Sequence, residues 1–163
     1  PYTDFESAKP HFMAVTMDGL YADCQAAFQW LQNQESIIPD SIASIGFCLG
    51  GRVSFLANTW LPLLAGISYY GGGLDKLTAE AEKLNSTHLF FWGGKDQSIT
   101  QDKVETILSA VKKAGKNYTS TVFSYAGHAF NCDERESYNL EAAGEAWSFS
   151  LAFLKNRLTV SGS

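Results

Sequence analysis

At 163 residues, with 45% hydrophobic, 13% aromatic and 18% charged residues, the chain is too apolar for intrinsic disorder. It is long enough for one domain that buries roughly 70% of its unfolded surface. A formal charge of −5 without any run of Lys or Arg excludes a nucleic-acid footprint, and no window approaches the ~18 apolar residues of a bilayer span.

The N-terminus lacks the basic-then-apolar pattern of a secretory leader, so a cytoplasmic protein without a membrane partner is expected. Residues 1–17 carry Pro1 and Pro10 and no clean period, which predicts an irregular lead-in. From Asp18 the positions Leu20, Cys24, Ala27, Phe28 and Leu31 recur at helical spacing, with Asp18 able to cap the first turn and the helix ending near Gln34. Residues 42–47, from Ile42 to Phe47, form a short β-branched and aromatic run, and helical spacing resumes over 52–60. The two segments meet at Cys48.

Residues 65–70 make a second strand candidate, closed by Gly71-Gly72-Gly73 and followed over 75–84 by a weak, polar helix. A third strand over 88–92 runs into Gly93-Gly94-Lys95-Asp96. Ser98 and Gln101 then have the spacing of a capping box ahead of the stripe Val104, Ile107, Leu108 and Val111. A fourth strand over 119–125 precedes Gly127-His128. The final helix, about 137–158, is expected to bury Leu140, Ala143, Trp147, Leu151 and Leu154, ahead of a polar tail over 159–163. Strands alternating with helices predict a single α/β domain with a mostly parallel sheet and flanking helices.

Such sheets place their sites beyond the carboxyl ends of the strands. Cys48, Asp96 and His128 each follow a predicted strand, in the order nucleophile, acid, base. Gly46-x-Cys48-x-Gly50 has the form of a nucleophile elbow, a strained strand-to-helix turn that tolerates only small flanking residues. A cysteine there meets the N-terminus of the next helix, which favours the thiolate, and the backbone N–H of Leu49 is placed to receive an oxyanion. His128 would carry the proton and Asp96 would orient the imidazole. Each residue taken alone also has a plainer explanation: Cys48 as a core thiol, Asp96 as a turn residue, His128 as a loop donor. Their joint order at three strand ends favours chemistry.

Cys24 lies on an apolar helical stripe and is expected in the core, whereas Cys132, four residues past His128, fits either a packed loop or a site wall. Three cysteines without a CxxC pair argue against a disulfide framework, and His11 and His88 lack ligand-spaced partners. No metal or cofactor is expected. Tyr70, Trp92 and Phe130 lie near strand ends and are candidates for lining a substrate site.

Gly46-Phe47-Cys48-Leu49-Gly50-Gly51, Phe91-Trp92-Gly93-Gly94-Lys95-Asp96 and Tyr125-Ala126-Gly127-His128-Ala129-Phe130-Asn131 resemble the dienelactone hydrolase (carboxymethylenebutenolidase) family of the α/β-hydrolase superfamily. The resemblance covers residues 18–158. It implies a Cys48-His128-Asp96 triad that hydrolyses a lactone or small carboxylic ester through an acyl-enzyme. It also implies that the chain begins after the family's N-terminal strands, so that front-half groups, including a second oxyanion donor and a substrate-binding arginine, have no counterpart here. The strand at residues 42–47 would then be an open edge, suited to self-association or pairing. Two other functions fit the same residues: a catalytically incomplete or non-catalytic binding and assembly domain, and a thiol redox sensor with Cys132 as resolving partner.

Overall fold

The computed structural model describes residues 5–158. Four strands, β1 (Ala43–Phe47), β2 (Ala65–Tyr69), β3 (His88–Gly93) and β4 (Tyr118–Phe123), form one sheet in the order β1-β2-β3-β4. Every pairing is parallel, with Phe47 opposite Tyr69, Tyr69 opposite Phe91 and Phe91 opposite Thr121. The carboxyl ends of the strands are therefore aligned along one rim.

Helices α1 (Phe5–Met13) and α2 (Met17–Gln32) precede the sheet, α3 (Leu49–Trp60) and α4 (Gln101–Lys113) connect strands, and α5 (Leu140–Leu158) closes the described chain. Alternation along β3 sends His88, Phe90 and Trp92 to one face and Leu89 and Phe91 to the other. Phe55 of α3 meets His88 and Phe90 on the first face, while Phe149 of α5 meets Phe91 on the second. All six residues of β3 and all five of β2 are buried. A second apolar cluster, Phe28, Ile42, Ala57, Leu61 and Leu63, joins α2 to the outer side of α3, with Cys24 packed against it. Among the described residues β1 pairs only with β2, and its Ile45 and Phe47 are 40% and 39% exposed.

Several local expectations need correction. The lead-in is not irregular throughout, because residues 5–13 are helical. Pro10 removes only one intrahelical N–H, while Glu6 favours the positive end of the helix and the Pro10 carbonyl still receives the Ala14 N–H at 3.0 Å. The cap of α2 is Thr16, whose hydroxyl accepts from the Gly19 N–H, rather than Asp18. The polar segment after β2 forms two short 3-10 helices, Leu74–Lys76 and Thr78–Lys83. The Ser98–Gln101 capping box does not form: Thr100 precedes α4, and Asp96 takes the Ser98 and Ile99 N–H groups.

The buried stripe of α5 also differs. Leu140, Trp147 and Leu151 are exposed, and Ala142, Ala143, Ala146, Ser150 and Phe153 face inward. Small residues let the helix axis approach the sheet closely enough for the Ser150 hydroxyl to meet that of Tyr69 at 2.7 Å, a contact that a Leu stripe would hold apart. The tail at 159–163 lies outside the described residues.

Candidate active site

Only Cys48 separates the end of β1 from the start of α3, and its φ of 55° and ψ of −114° make the turn. A non-glycine residue at positive φ is strained and persists only where its surroundings hold it. Here the Cys48 N–H donates to the Tyr69 carbonyl at 3.0 Å, and the Cys48 carbonyl accepts from the Arg52 N–H at 3.2 Å. A Cβ at position 46 would run into the Gly50 carbonyl, and one at 51 would lie 2.7 Å from the Tyr69 carbonyl oxygen. Gly50 behaves differently, for nothing lies within 4 Å of a Cβ placed there. The close approach at the elbow thus requires glycine at 46 and 51, not at both positions flanking the cysteine, because it is the backbone of residue 50 that presses on residue 46.

The loops after β3 and β4 are tied together by the Gly94 N–H to Phe123 carbonyl and Lys95 N–H to Ala126 carbonyl bonds, at 2.8 and 2.9 Å. That pairing sets Asp96 beside His128. Asp96 Oδ1 accepts from the Ser98 and Ile99 N–H groups at 2.8 and 2.9 Å, leaving Oδ2 to accept from His128 Nδ1 at 2.6 Å. On the far side of the ring, His128 Nε2 lies 3.3 Å from Cys48 Sγ. The three side chains form a continuous chain from a buried carboxylate to an exposed thiol.

The charges reinforce this order. The hydrogen bond with His128 lowers the Cys48 thiol's pKa against the cost of burial, with further help from the Leu49 N–H and the Arg135 charge. Hydrogen bonds to Asp96 and to Cys48 raise His128 to about 9 despite burial. Burial alone would raise Asp96, but the bond from His128 and the Ile99 and Ser98 N–H groups together hold it below its ordinary value. All three shifts favour a thiolate and imidazolium beside a carboxylate. Such a set can attack an electrophilic carbon and return a proton to the group that leaves.

A cavity of about 210 Å³ opens beside the sulfur, with Phe47, Tyr70, His128, Cys132 and Arg135 around Cys48 in its wall. Tyr70 and Ala129, at φ 38° and 61°, are the other two non-glycine residues at positive φ among those described, and both line the same cavity. Backbone strain is therefore gathered around one opening. The Tyr70 ring stands 5.2 Å from the His128 ring and 5.1 Å from Phe130, and burial pushes its hydroxyl pKa up.

Phe130 is fully buried behind Tyr70 and does not reach the cavity. Trp92, expected as a possible wall, is turned to the other side of β3, where it stacks on Phe90 and donates to the Ser120 hydroxyl at 2.9 Å. The alternation of the strand explains this: Trp92 shares the parity of His88 and Phe90. Cys132 is a wall residue, while Cys24 lies on the α2 cluster, where burial raises its pKa. Phe47, Ala129 and Arg135 complete the wall without having been singled out from the sequence, although Arg135 follows Cys132 by one loop turn. Among the described residues, no three His, Cys, Asp or Glu side chains are grouped to hold a metal ion, and no helix is long and apolar enough to cross a membrane.

Residues 3–158 match the model of the dienelactone hydrolase family. A candidate carboxymethylenebutenolidase of Synechocystis sp. is 33% identical over 136 residues, covering 78% of this chain and 55% of that protein. One of Escherichia coli K12 is 37% identical over 123 residues, covering 68% and 44%. The chain thus spans about half the length of the curated relatives it matches. Among solved structures, a candidate dienelactone hydrolase from Klebsiella pneumoniae superposes with a TM-score of 0.76 at 33% identity, covering 82% of this chain and 59% of that one. A dienelactone hydrolase-like promiscuous phosphotriesterase from metagenomic libraries reaches 0.80 at 18% identity, covering 96% and 68%, a likeness of fold.

Proposed function

Because the chain belongs to the dienelactone hydrolase family, we propose that it supplies the catalytic half of a hydrolase that opens small lactones or carboxylic esters through Cys48, His128 and Asp96. The observation that carries this reading is the unbroken contact from Asp96 Oδ2 through both ring nitrogens of His128 to Cys48 Sγ, at 2.6 and 3.3 Å.

In the proposed reaction the Cys48 thiolate attacks the ester carbonyl, and the resulting oxyanion is met by the Leu49 N–H. The tetrahedral intermediate collapses as the alcohol leaves with the proton from His128 Nε2, forming a thioester. Water then gives a proton to His128 Nε2 as it attacks the acyl carbon. Collapse releases the acid and restores the ion pair. Asp96 holds the ring in one orientation and stabilises its charged form throughout. Tyr70 supplies an aromatic wall for the substrate, with Phe130 supporting it from behind.

Cys48→Ser and His128→Ala should each slow hydrolysis of an activated aryl ester by at least about a hundredfold. Steady-state rates that match the unsubstituted protein would remove the triad.

The exposed β1 edge supports an assembly role alongside catalysis. Its free backbone groups and the apolar Ile45 and Phe47 side chains suit pairing with a further strand, which a second copy of the chain can provide. Ile45→Lys should then lower the native assembly mass to that of one chain; a protein already monomeric before substitution would contradict self-association.

A further inference from the structure

One fully buried histidine takes no part in the proposed chemistry. His88 opens β3 at 0% exposure, with its Nδ1 3.2 Å from Asn58 Nδ2 and its Nε2 2.8 Å from Ser68 Oγ. The directions of these bonds follow from their neighbours. Asn58 Oδ1 accepts from both the N–H and the hydroxyl of Ser86, at 3.2 and 2.8 Å, so its Nδ2 is the donating end and reaches the Ser86 carbonyl and His88 Nδ1. His88 Nδ1 is then an acceptor, and the ring proton sits on Nε2, which donates to Ser68 Oγ. The Ser68 hydroxyl in turn donates to the Gly51 carbonyl at 2.5 Å.

Gly51 lies in the first turn of α3. Its carbonyl belongs to the same peptide unit as the Arg52 N–H, and that N–H donates to the Cys48 carbonyl at 3.2 Å. Donors consequently run one way from Ser86 through Asn58, His88 and Ser68 to the peptide that closes the elbow. The relay is tightly enclosed: a Cβ at Gly66 would collide with the imidazole, and the rings of Phe55 and Phe90 stand 5.6 and 4.5 Å from it. No charged group is among these contacts, and burial drives the His88 pKa down to about 3, which keeps the ring neutral.

We propose that Ser68 and His88 are positioning residues that lock the first turn of α3 to β2 and β3 and thereby hold Cys48 and the Leu49 N–H in line with His128. The need for such a lock follows from the strained conformation of Cys48, which is restrained by one bond on its N–H and one on its carbonyl. The first runs straight to the carbonyl of Tyr69 at the end of β2, and the second is braced from within the sheet through Ser68 and His88. This inference rests on the assignment of Cys48 as the nucleophile.

Its test is the pH dependence of Cys48 alkylation by iodoacetamide, read by peptide mass spectrometry in the unsubstituted protein, Ser68→Ala, His88→Gln and Ser150→Ala. Tyr70, Cys132, His128 and Arg135 surround the sulfur in every variant, so a moved midpoint reports position rather than a lost charge. Ser150 is an equally buried hydroxyl on α5 that contacts Tyr69 and the Ala146 carbonyl and serves as the matched control.

Ser68→Ala should raise the alkylation midpoint by about one pH unit, a roughly tenfold loss of thiolate below it. His88→Gln should move it the same way by less, and Ser150→Ala should lower the melting temperature without moving it. A Ser68→Ala protein with a lower melting temperature and an unmoved midpoint overturns the inference. So does failure of both relay variants to fold, which would make the network a folding determinant only. An ordinary thiol midpoint in the unsubstituted protein would instead remove the nucleophile assignment on which the inference rests.

Discussion

β3 and β1 are parallel strands of one sheet, and both end at the candidate site, yet they are held in opposite ways. β3 is buried along its whole length between α3 and α5, whereas β1 has one neighbour among the described residues and leaves Ile45 and Phe47 substantially exposed. Asp96 follows the buried β3, whereas Cys48 and His128 follow the sheet's two edge strands, β1 and β4. His128 is tied to the loop after β3 by the Gly94 to Phe123 and Lys95 to Ala126 backbone bonds and by Asp96 itself. Cys48 depends instead on the elbow's own close contacts and on hydrogen bonds reaching it from β2 and β3. That dependence is why the buried polar relay ends at the elbow of Cys48.

The sharpest way to break this contrast is to truncate one aromatic ring on each side. Phe91→Ala removes a fully buried ring packed against Tyr69, Phe123 and Phe149 and should cost about 3–5 kcal/mol in urea unfolding. Phe47→Ala removes a ring that is 39% exposed and should cost less than about 1.5 kcal/mol, its remaining contact being chiefly with Tyr69. Equal losses would mean that β1 is covered in solution, and would turn the contrast into evidence for association through that edge.

A second contrast separates two histidines by pH. His88, in the packed region, has its pKa lowered by burial from 6.5 to about 3. The unfolded chain binds this proton first, so the stability present above pH 6.5 is lost as pH falls toward 3, by about 1 kcal/mol per unit within that window. His128, at the site, is raised from 6.5 to about 9, so its stabilising contribution is fully present below 6.5 and is lost as pH rises through 9. Melting temperatures of His88→Gln across the acid range should fall less steeply than those of the unsubstituted protein. Parallel curves would show that His88 does not govern the acid limb.

These two regions were not equally legible in the sequence. The four strands, the β1–α3 junction and the placing of Cys48, Asp96 and His128 after strand ends follow from short-range signals: β-branched runs, glycines at fixed offsets and the parallel-sheet rule. The facing of α5 does not, because its Leu–Trp stripe and its Ala–Ser stripe are both helical, and only the distance to the sheet chooses the smaller residues. Trp92 was misplaced for a related reason. Proximity to a strand end says nothing of which face a residue takes, whereas its parity with His88 does. Positive φ at Tyr70 and Ala129 carries no residue-type signature at all. The His88 relay was hidden because Asn58 on α3, Ser68 on β2 and the Ser86-Thr87-His88 stretch at the start of β3 are distant in the chain and meet only in the fold.

The smallest expected effect tests how the elbow itself is built. A Gly-x-Cys-x-Gly pattern suggests that both flanking glycines are there for want of space, but a Cβ at 50 meets nothing within 4 Å, and residue 50 already lies in the helical turn that follows the cysteine. Gly50→Ala should therefore relieve the backbone freedom that glycine brings to the unfolded chain and raise stability by about 0.5 kcal/mol, with the alkylation midpoint of Cys48 unchanged. A melting temperature that instead falls, together with a raised midpoint, would mean that the first turn of α3 must move during reaction, and that the glycine serves this motion rather than the packing of the resting elbow.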